Sequence, residues 1–123
     1  DNCIEFMTPV KVQTYSALNV TYNSAYLRGK LTNYQATILS MGYEYYEDGH
    51  PEEVNTAYYT PIKSSGDFWK TYEIFKGSTK YYYRAFAEDS WGRQYGAWVE
   101  FTTLTPPPPT VTNIGAENNR VFA

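Results

Sequence analysis

Residues 80–89 read KYYYRAFAED, the longest run of alternating side chains in the chain's second half. Its side chains alternate in two sets: Tyr81, Tyr83, Ala85 and Ala87 fall on one face, and Tyr82, Arg84 and Phe86 on the other. A period of two places successive side chains on opposite faces of an extended chain. Aromatic residues also favour the pleated, half-buried surface of a sheet. The stretch therefore predicts a β-strand with one face in a core.

Six further segments have the same strand character, at residues 10–15, 25–31, 38–46, 54–60, 68–75 and 97–103. Turn-forming residues separate them, as in Glu47-Asp48-Gly49-His50-Pro51, and Ser90-Trp91-Gly92-Arg93 is predicted to be a loop. Seven short strands with a turn about every 8–12 residues are typical of an antiparallel sandwich. The sequence therefore predicts an all-β, seven-stranded antiparallel β-sandwich.

Length and composition limit the class of protein. The 123 residues suit one domain, and the net charge of −3 comes with scattered basic residues. No Lys/Arg run could neutralise several phosphates, so we expect no nucleic-acid partner. No segment approaches the roughly 20 apolar residues that span a bilayer, so we expect no membrane span.

The chain divides into four parts. Residues 1–9 form an N-terminal flank, and residues 10–104 form the sandwich. Residues 105–110 include four consecutive prolines and predict a semi-rigid linker. Residues 111–123 either begin a second repeat of a tandem array, disordered when cut short, or are unrelated to the domain.

Several motifs resemble one family. Phe75-x-Gly77-x-Thr79-x-Tyr81 resembles the turn into the sixth strand of fibronectin type III domains. The stretch after it resembles the bacterial secreted or cell-surface variety of that family, and the motifs that carry this are Tyr82-Tyr83-Arg84-Ala85-Phe86-Ala87, Gly92, Tyr95-Gly96 and Phe101-Thr102-Thr103-Leu104. The resemblance covers residues 10–104 and implies an immunoglobulin-like sandwich.

The resemblance also implies roles for particular residues. Tyr81 would be a corner tyrosine whose hydroxyl bonds back to the preceding turn, with Thr79 and Phe101 as structural neighbours. One departure is Leu31, which stands where animal-type domains usually keep a tryptophan. The core is therefore expected to be packed differently. The integrin-type Arg-Gly-Asp tripeptide is also absent, because the corresponding loop reads Gly92-Arg93-Gln94.

The chain has few of the residue types that usually carry out nucleophilic catalysis or bind zinc. His50 is the only histidine and Cys3 the only cysteine, so we expect no nucleophile–base pair, no zinc site, no cofactor and no enzymatic activity. Cys3 is expected to be a frayed thiol, with a lipid-anchored cysteine as the alternative. Acidic residues cluster in the segment Glu44–Glu53, which is either a solvated turn or a weak calcium site. We expect the turn.

Aromatic residues are in surplus, with 14 Tyr, 6 Phe and 3 Trp. Tyr34 follows the second strand, and Trp91, Arg93 and Tyr95 follow the sixth. The resemblance puts these two loops at the same end of the sandwich. Flat rings beside an arginine could stack on sugar rings or anchor a protein partner, or they could simply cover the end of the core.

Two functional hypotheses follow. The first is a non-catalytic spacer or accessory module, expected to be monomeric, in a larger secreted or cell-surface multidomain protein, where its partners are neighbouring domains of the same chain. The alternative is a module that binds a polysaccharide or a surface protein at the end formed by Tyr34, Trp91, Arg93 and Tyr95.

Overall fold

The computed structural model describes residues 9–33 and 36–108, which form a sandwich of two antiparallel sheets. The strands are β1 (Lys11–Leu18), β2 (Ala25–Thr32), β3 (Ser40–Glu47), β4 (Asn55–Tyr58), β5 (Gly66–Tyr72), β6 (Lys80–Asp89), β7 (Gly92–Tyr95) and β8 (Val99–Thr102). The predictions for Cys3, Tyr34, residues 1–8 and residues 109–123 lie outside the described residues. No helix within the described part is long and apolar enough to cross a membrane.

The two sheets divide the strands unequally. One has three strands in the order β1-β2-β5, and the other has five, in the order β4-β3-β6-β7 with β8 also paired to β6. The two-sheet antiparallel architecture that the sequence predicts is therefore confirmed, but the predicted count of seven strands is wrong. Eight strands are present in the described residues.

The additional strand arises from a tight hairpin and an interruption. Asp89 Oδ1 accepts a hydrogen bond of 2.9 Å from the Trp91 backbone N–H, and Gly92 has φ +115°, so the chain reverses within two residues. Gly92 and Arg93 therefore belong to β7, not to a loop. The Gly96 backbone N–H still donates to the Ala85 carbonyl oxygen at 2.9 Å, and residues 97 and 98 then leave β6 before β8 pairs with it. The polar sequence of β7 carries no apolar alternation that would have indicated a strand.

Tyrosines connect the two sheets through the core. Tyr43 on β3 donates to the Leu27 and Phe68 carbonyl oxygens of the opposite sheet, at 3.2 and 3.1 Å. Tyr83 on β6 donates to the Tyr15 carbonyl oxygen of β1. Burial raises the pKa of Tyr43 and raises the pKa of Tyr83 to about 12. These phenols are therefore both core filling and hydrogen-bonded cross-links between the layers.

The turn before β6 is fixed by side chains. The Lys76 backbone N–H donates to the Tyr81 hydroxyl at 2.9 Å, and the Thr79 backbone N–H donates to Thr103 Oγ1 at 2.9 Å. The Phe101 ring stacks on Tyr81 with centroids 5.6 Å apart. Pro106 also packs here, because a Cβ at Gly77 would lie 2.5 Å from its Cγ.

Candidate ligand-binding face

The outer face of the five-stranded sheet carries two arginines between carboxylates and rings. Alternation on β3 and β6 directs Tyr43 and Tyr83 inward and therefore directs Glu44 and Arg84 outward, where they are cross-strand partners. We call the following group the arginine layer: Glu44, Arg84, Phe86, Arg93, Tyr95 and Trp98.

Arg84 is held by three partners, one carboxylate and two aromatic rings. Its Nε and Nη2 donate to Glu44 Oε1 at 3.1 and 2.9 Å. Its Cζ lies 3.6 Å from the Tyr95 ring centroid and 4.3 Å from that of Trp98. A guanidinium between two rings and a carboxylate combines cation–π attraction with charge-assisted hydrogen bonds. The Tyr95 ring is therefore fixed in orientation by the arginine beneath it.

Arg93 completes the charge balance of the layer. Its Nη1 donates to Glu44 Oε2 at 3.0 Å, its Nη2 lies 3.5 Å from Glu88 Oε1, and its Cζ lies 4.1 Å from the Phe86 ring centroid. Partial burial opposes the charge on Arg93, but hydrogen bonds to Glu44, Tyr58 and Glu88 outweigh it and raise the Arg93 pKa. With Glu88, which borders the arginine layer, the two arginines face two glutamates, so the charges on this face are close to balanced.

Further aromatic rings extend the layer across the sheet. Tyr46 stacks on Tyr82 with centroids 5.1 Å apart and meets Trp98 edge-on at 4.9 Å. Tyr58 meets Phe86 edge-on at 6.0 Å across Gly42, the residue that pairs with both and has no side chain to separate them. Tyr58 and Tyr95 are 55% and 43% exposed. The outer face of the five-stranded sheet is therefore largely aromatic.

The four residues singled out in the sequence fall in different places. Arg93 and Tyr95 lie on this sheet face and are connected through Glu44 and Arg84. Trp91 lies at the β6–β7 turn and is 47% exposed. Tyr34 is outside the described residues. Arg93 and Tyr95 thus belong to the side of the sandwich and not to a loop at its end.

Sequence reasoning missed the centre of this face. The sequence pattern places Glu44 in the acidic segment, but its side chain is 7% exposed and pairs with two arginines. The signal that could have found it is the alternation of β3 and β6, which places Glu44 and Arg84 outward. Trp98 follows a break in the strand and has no such signal.

The acidic turn itself is solvent-facing. His50, Glu52 and Glu53 are all exposed, with potential ligand atoms within 4.8 Å of one another. Glu47 pairs with Lys76 at 2.9 Å, and Glu44 belongs to the arginine layer. The segment Glu44–Glu53 therefore does not gather its carboxylates at one point.

Comparison with known proteins gives a fold but no family. No family model and no curated protein matches the chain. Among solved structures, a shorter and a longer form of the sensor domain of the anti-sigma factor RsgI4 from Pseudobacteroides cellulosolvens are similar. The shorter form has TM-score 0.62 and 19% identity, with 81% of this chain and 99% of that chain covered. The longer has TM-score 0.63 and 17% identity, with 86% and 100% covered.

A fibronectin type III domain derived from the human KIAA0970 protein is also similar, with TM-score 0.52, 14% identity, and 89% of this chain and 86% of that chain covered. Identities this low show the fold alone. The similarity in fold supports the fibronectin type III-like, immunoglobulin-like class that the sequence motifs predict.

Proposed function

We propose that the chain is a non-catalytic accessory module of a larger bacterial protein, secreted or at the cell surface, and that it binds an uncharged polysaccharide through the arginine layer. The observation that carries this proposal is the exposed Tyr95 ring, whose centroid lies 3.6 Å from Arg84 Cζ, so that the arginine holds the ring in place. A ring that is already oriented loses little conformational entropy when a ligand packs on it.

The chemistry of the face favours a neutral sugar chain. The apolar C–H faces of sugar rings pack on flat aromatic rings such as Tyr58 and Tyr95. The arginines here already donate to Glu44 and Glu88, so the face offers no uncompensated charge to a polyanion. The similarity to sensor domains of an anti-sigma factor supports an accessory role within a longer protein.

The test is a backbone amide NMR titration of the domain with cellulose-, xylan- and mixed-linkage glucan oligosaccharides. We expect shifts that cluster at Tyr58, Tyr95 and Trp98. Tyr95→Ala should weaken binding by up to about tenfold, since one stacked ring contributes about 0.5–1.5 kcal/mol. Tyr22→Ala, an exposed tyrosine in the β1–β2 connection, is the matched control and should bind normally.

A silent spectrum across the panel would overturn the polysaccharide assignment. Binding to a protein partner through the same residues, with no response to sugars, would overturn it as well and leave a protein-recognition module in its place.

The spacer remains the second candidate, and a specific observation favours it. β1 begins beside Asp89, where the Val10 backbone N–H donates to Asp89 Oδ2 at 2.9 Å. β8 ends near Thr21, whose carbonyl oxygen accepts from the Leu104 backbone N–H at 3.0 Å. The described chain thus enters at one end of the sandwich and leaves at the other, as a spacer requires. A spacer predicts that Tyr95→Ala and Trp91→Ala change only the thermal stability.

A further inference from the structure

The three-stranded sheet has a groove on its outer face, on the opposite side of the molecule from the arginine layer. Its volume is about 290 Å³, near the lower end of small-ligand sites. We call it the Trp69 groove; it is lined by Tyr15, Leu18, Tyr26, Arg28, Gly29, Asp67, Phe68 and Trp69. We propose that this groove binds an acidic oligosaccharide through the carboxylates of its uronic-acid units.

A bulge in β1 shapes one wall of the groove. Tyr15 pairs with Arg28 and Leu18 with Tyr26, so two residues of β1 stand against one of β2. Within this bulge the Ser16 carbonyl oxygen accepts a hydrogen bond of 2.9 Å from Arg28 Nε. The guanidinium is thereby anchored by one nitrogen, with its Cζ 5.4 Å from the Tyr15 ring centroid. Its two Nη groups have no hydrogen-bond partner among residues 9–33 and 36–108, so they remain available to a carboxylate.

The opposite wall is an exposed indole. Trp69 is directly across the ladder from Arg28 and is 48% exposed. Lys63 Nζ lies 5.2 Å from the Trp69 ring centroid and donates to the Asp67 carbonyl oxygen at 2.6 Å. The indole is thus placed beside two fixed cations. Tyr15, Arg28 and Trp69 form one row across three neighbouring strands, which gives the groove a rigid base.

Charge complementarity selects an anionic occupant. The whole chain carries a net charge of −3, yet the three strands under the groove carry a single acidic residue, Asp67. On the outer face the basic residues are Lys11, Arg28 and Lys30, whereas Lys70 pairs with the buried Leu27 and falls on the other face of β5. A basic face on an acidic protein raises the local concentration of anions.

The shape of the groove favours a sugar over an acidic peptide. A uronic-acid ring presents an apolar C–H face and a carboxylate on the same rigid unit, which matches an indole beside a guanidinium one strand away. An acidic peptide segment would have to order several flexible side chains to reach the same two groups. The proposal does not depend on the arginine layer, because no residue is shared between the two faces.

Calorimetric titration of the domain with oligogalacturonate in calcium-free buffer tests the proposal. The fully methyl-esterified oligomer is the matched ligand, because it keeps the rings and loses the charges. We expect the ester to bind at least about tenfold more weakly and the affinity for the acid to fall as salt is raised. Trp69→Ala and Arg28→Gln should each weaken binding about tenfold or more, while Tyr95→Ala on the other face should not.

Folding of each variant is checked by its amide spectrum, and Trp69→Phe provides a second variant that keeps an aromatic ring and should retain most of the affinity. Equal binding of the acid and the ester would overturn the proposal. So would poly-glutamate binding as tightly as oligogalacturonate, since this would make the groove a general polyanion site, and so would shifts confined to the arginine layer.

Discussion

Thr14 Oγ1 accepts a hydrogen bond of 2.9 Å from the Ala85 backbone N–H, across the two sheets. β7 ends at Tyr95, which pairs with Phe86, and β8 begins at Val99, which pairs with Tyr83. Ala85 lies in the gap between these ladders. A threonine of the opposite sheet thus satisfies an amide that the interrupted last strand leaves free.

Replacing Thr14 should therefore show how much the hydrogen bond to the Ala85 amide contributes to the free energy of unfolding. Thr14→Val keeps the shape of the side chain but leaves the Ala85 N–H without its acceptor, and we expect it to lower the free energy of unfolding by about 1–3 kcal/mol. Thr14→Ser keeps the hydroxyl and should lose less than half of that. Urea unfolding curves measure both, and equal losses in the two variants would show that the hydrogen bond does not matter.

The Tyr81 hydroxyl makes a second testable hydrogen bond. Tyr81→Phe retains the ring against Phe101 but removes the acceptor of the Lys76 amide. We expect a loss of about 1–2 kcal/mol in the free energy of unfolding. Tyr22→Phe, on an exposed ring, is the control and should be neutral. A neutral Tyr81→Phe would mean that water replaces the hydroxyl at this turn.

Glu44 should be the most sensitive charged residue of the arginine layer. Glu44→Gln leaves Arg84 and Arg93 facing each other without their shared carboxylate. Since both arginines are partly exposed, we expect a loss of about 2 kcal/mol, below the range for fully buried pairs. Glu100→Gln, in the exposed pair with Lys80, should have no measurable effect on thermal stability. The same loss for both would contradict the structural role of the layer.

Gly42 and Gly49 offer a matched pair for testing close packing. Both have positive φ, +155° and +92°. A Cβ at Gly42 would collide with the Ala57 carbonyl oxygen and lie 2.8 Å from Tyr58 Cα, whereas nothing lies within 4 Å of one at Gly49. Gly42→Ala should cost about 3 kcal/mol or more, and Gly49→Ala about 1 kcal/mol. Thermal unfolding of the two variants measures the difference, and similar costs would contradict the contact.

The buried tyrosines predict a loss of stability in alkali. Burial raises the pKa of Tyr72 and of Tyr83 to about 12 and also raises the pKa of Tyr43, while tyrosines in the unfolded chain titrate near about 10. Because the pKa of each of these tyrosines is higher in the folded state than in the unfolded chain, the free energy of unfolding does not depend on their titration below about pH 10. Above it the unfolded chain releases protons that the folded state retains, so stability falls by about 1.4 kcal/mol per pH unit for each such group.

Melting temperature measured from about pH 8 to about pH 12 follows this fall, and tyrosinate absorbance reports which rings ionise. Tyr72→Phe should make the slope shallower because it removes one of the titrating groups. An unchanged slope in that variant, or ionisation of all tyrosines before unfolding, would contradict the assignment.

The sequence indicated most of the sheet structure because alternation reports burial directly. β6 has the predicted bounds, and β2 differs by one residue at its end. β7 was missed because Gly92-Arg93-Gln94-Tyr95 has no apolar alternation; it is held by the Asp89 turn and by contacts of Arg93 and Tyr95 with β3 and β6. These are tertiary contacts that local pattern does not encode.

The candidate sites were harder to predict for the same reason. Arg93 and Tyr95 were singled out as loop residues, but what unites them is Glu44, 49 positions away from Arg93 in sequence. The Trp69 groove depends on the register of β5 against β2 and on the bulge in β1. Neither register nor bulge has a local signature in these strands, so only the assembled sheet brings Arg28 and Trp69 together.

The opposite placement of the start of β1 and the end of β8 has a mechanical consequence. A tensile force applied through the two ends of the described chain would run along the strands. Because the hydrogen bonds of an antiparallel ladder lie perpendicular to the strands, those between β1 and β2 and between β8 and β6 would all be loaded in shear at once. They would not open one after another, as in a zipper. The bonds of Tyr83 to Tyr15 and of Thr14 to Ala85 would share that load, so tension would have to break both layers before the chain lengthened.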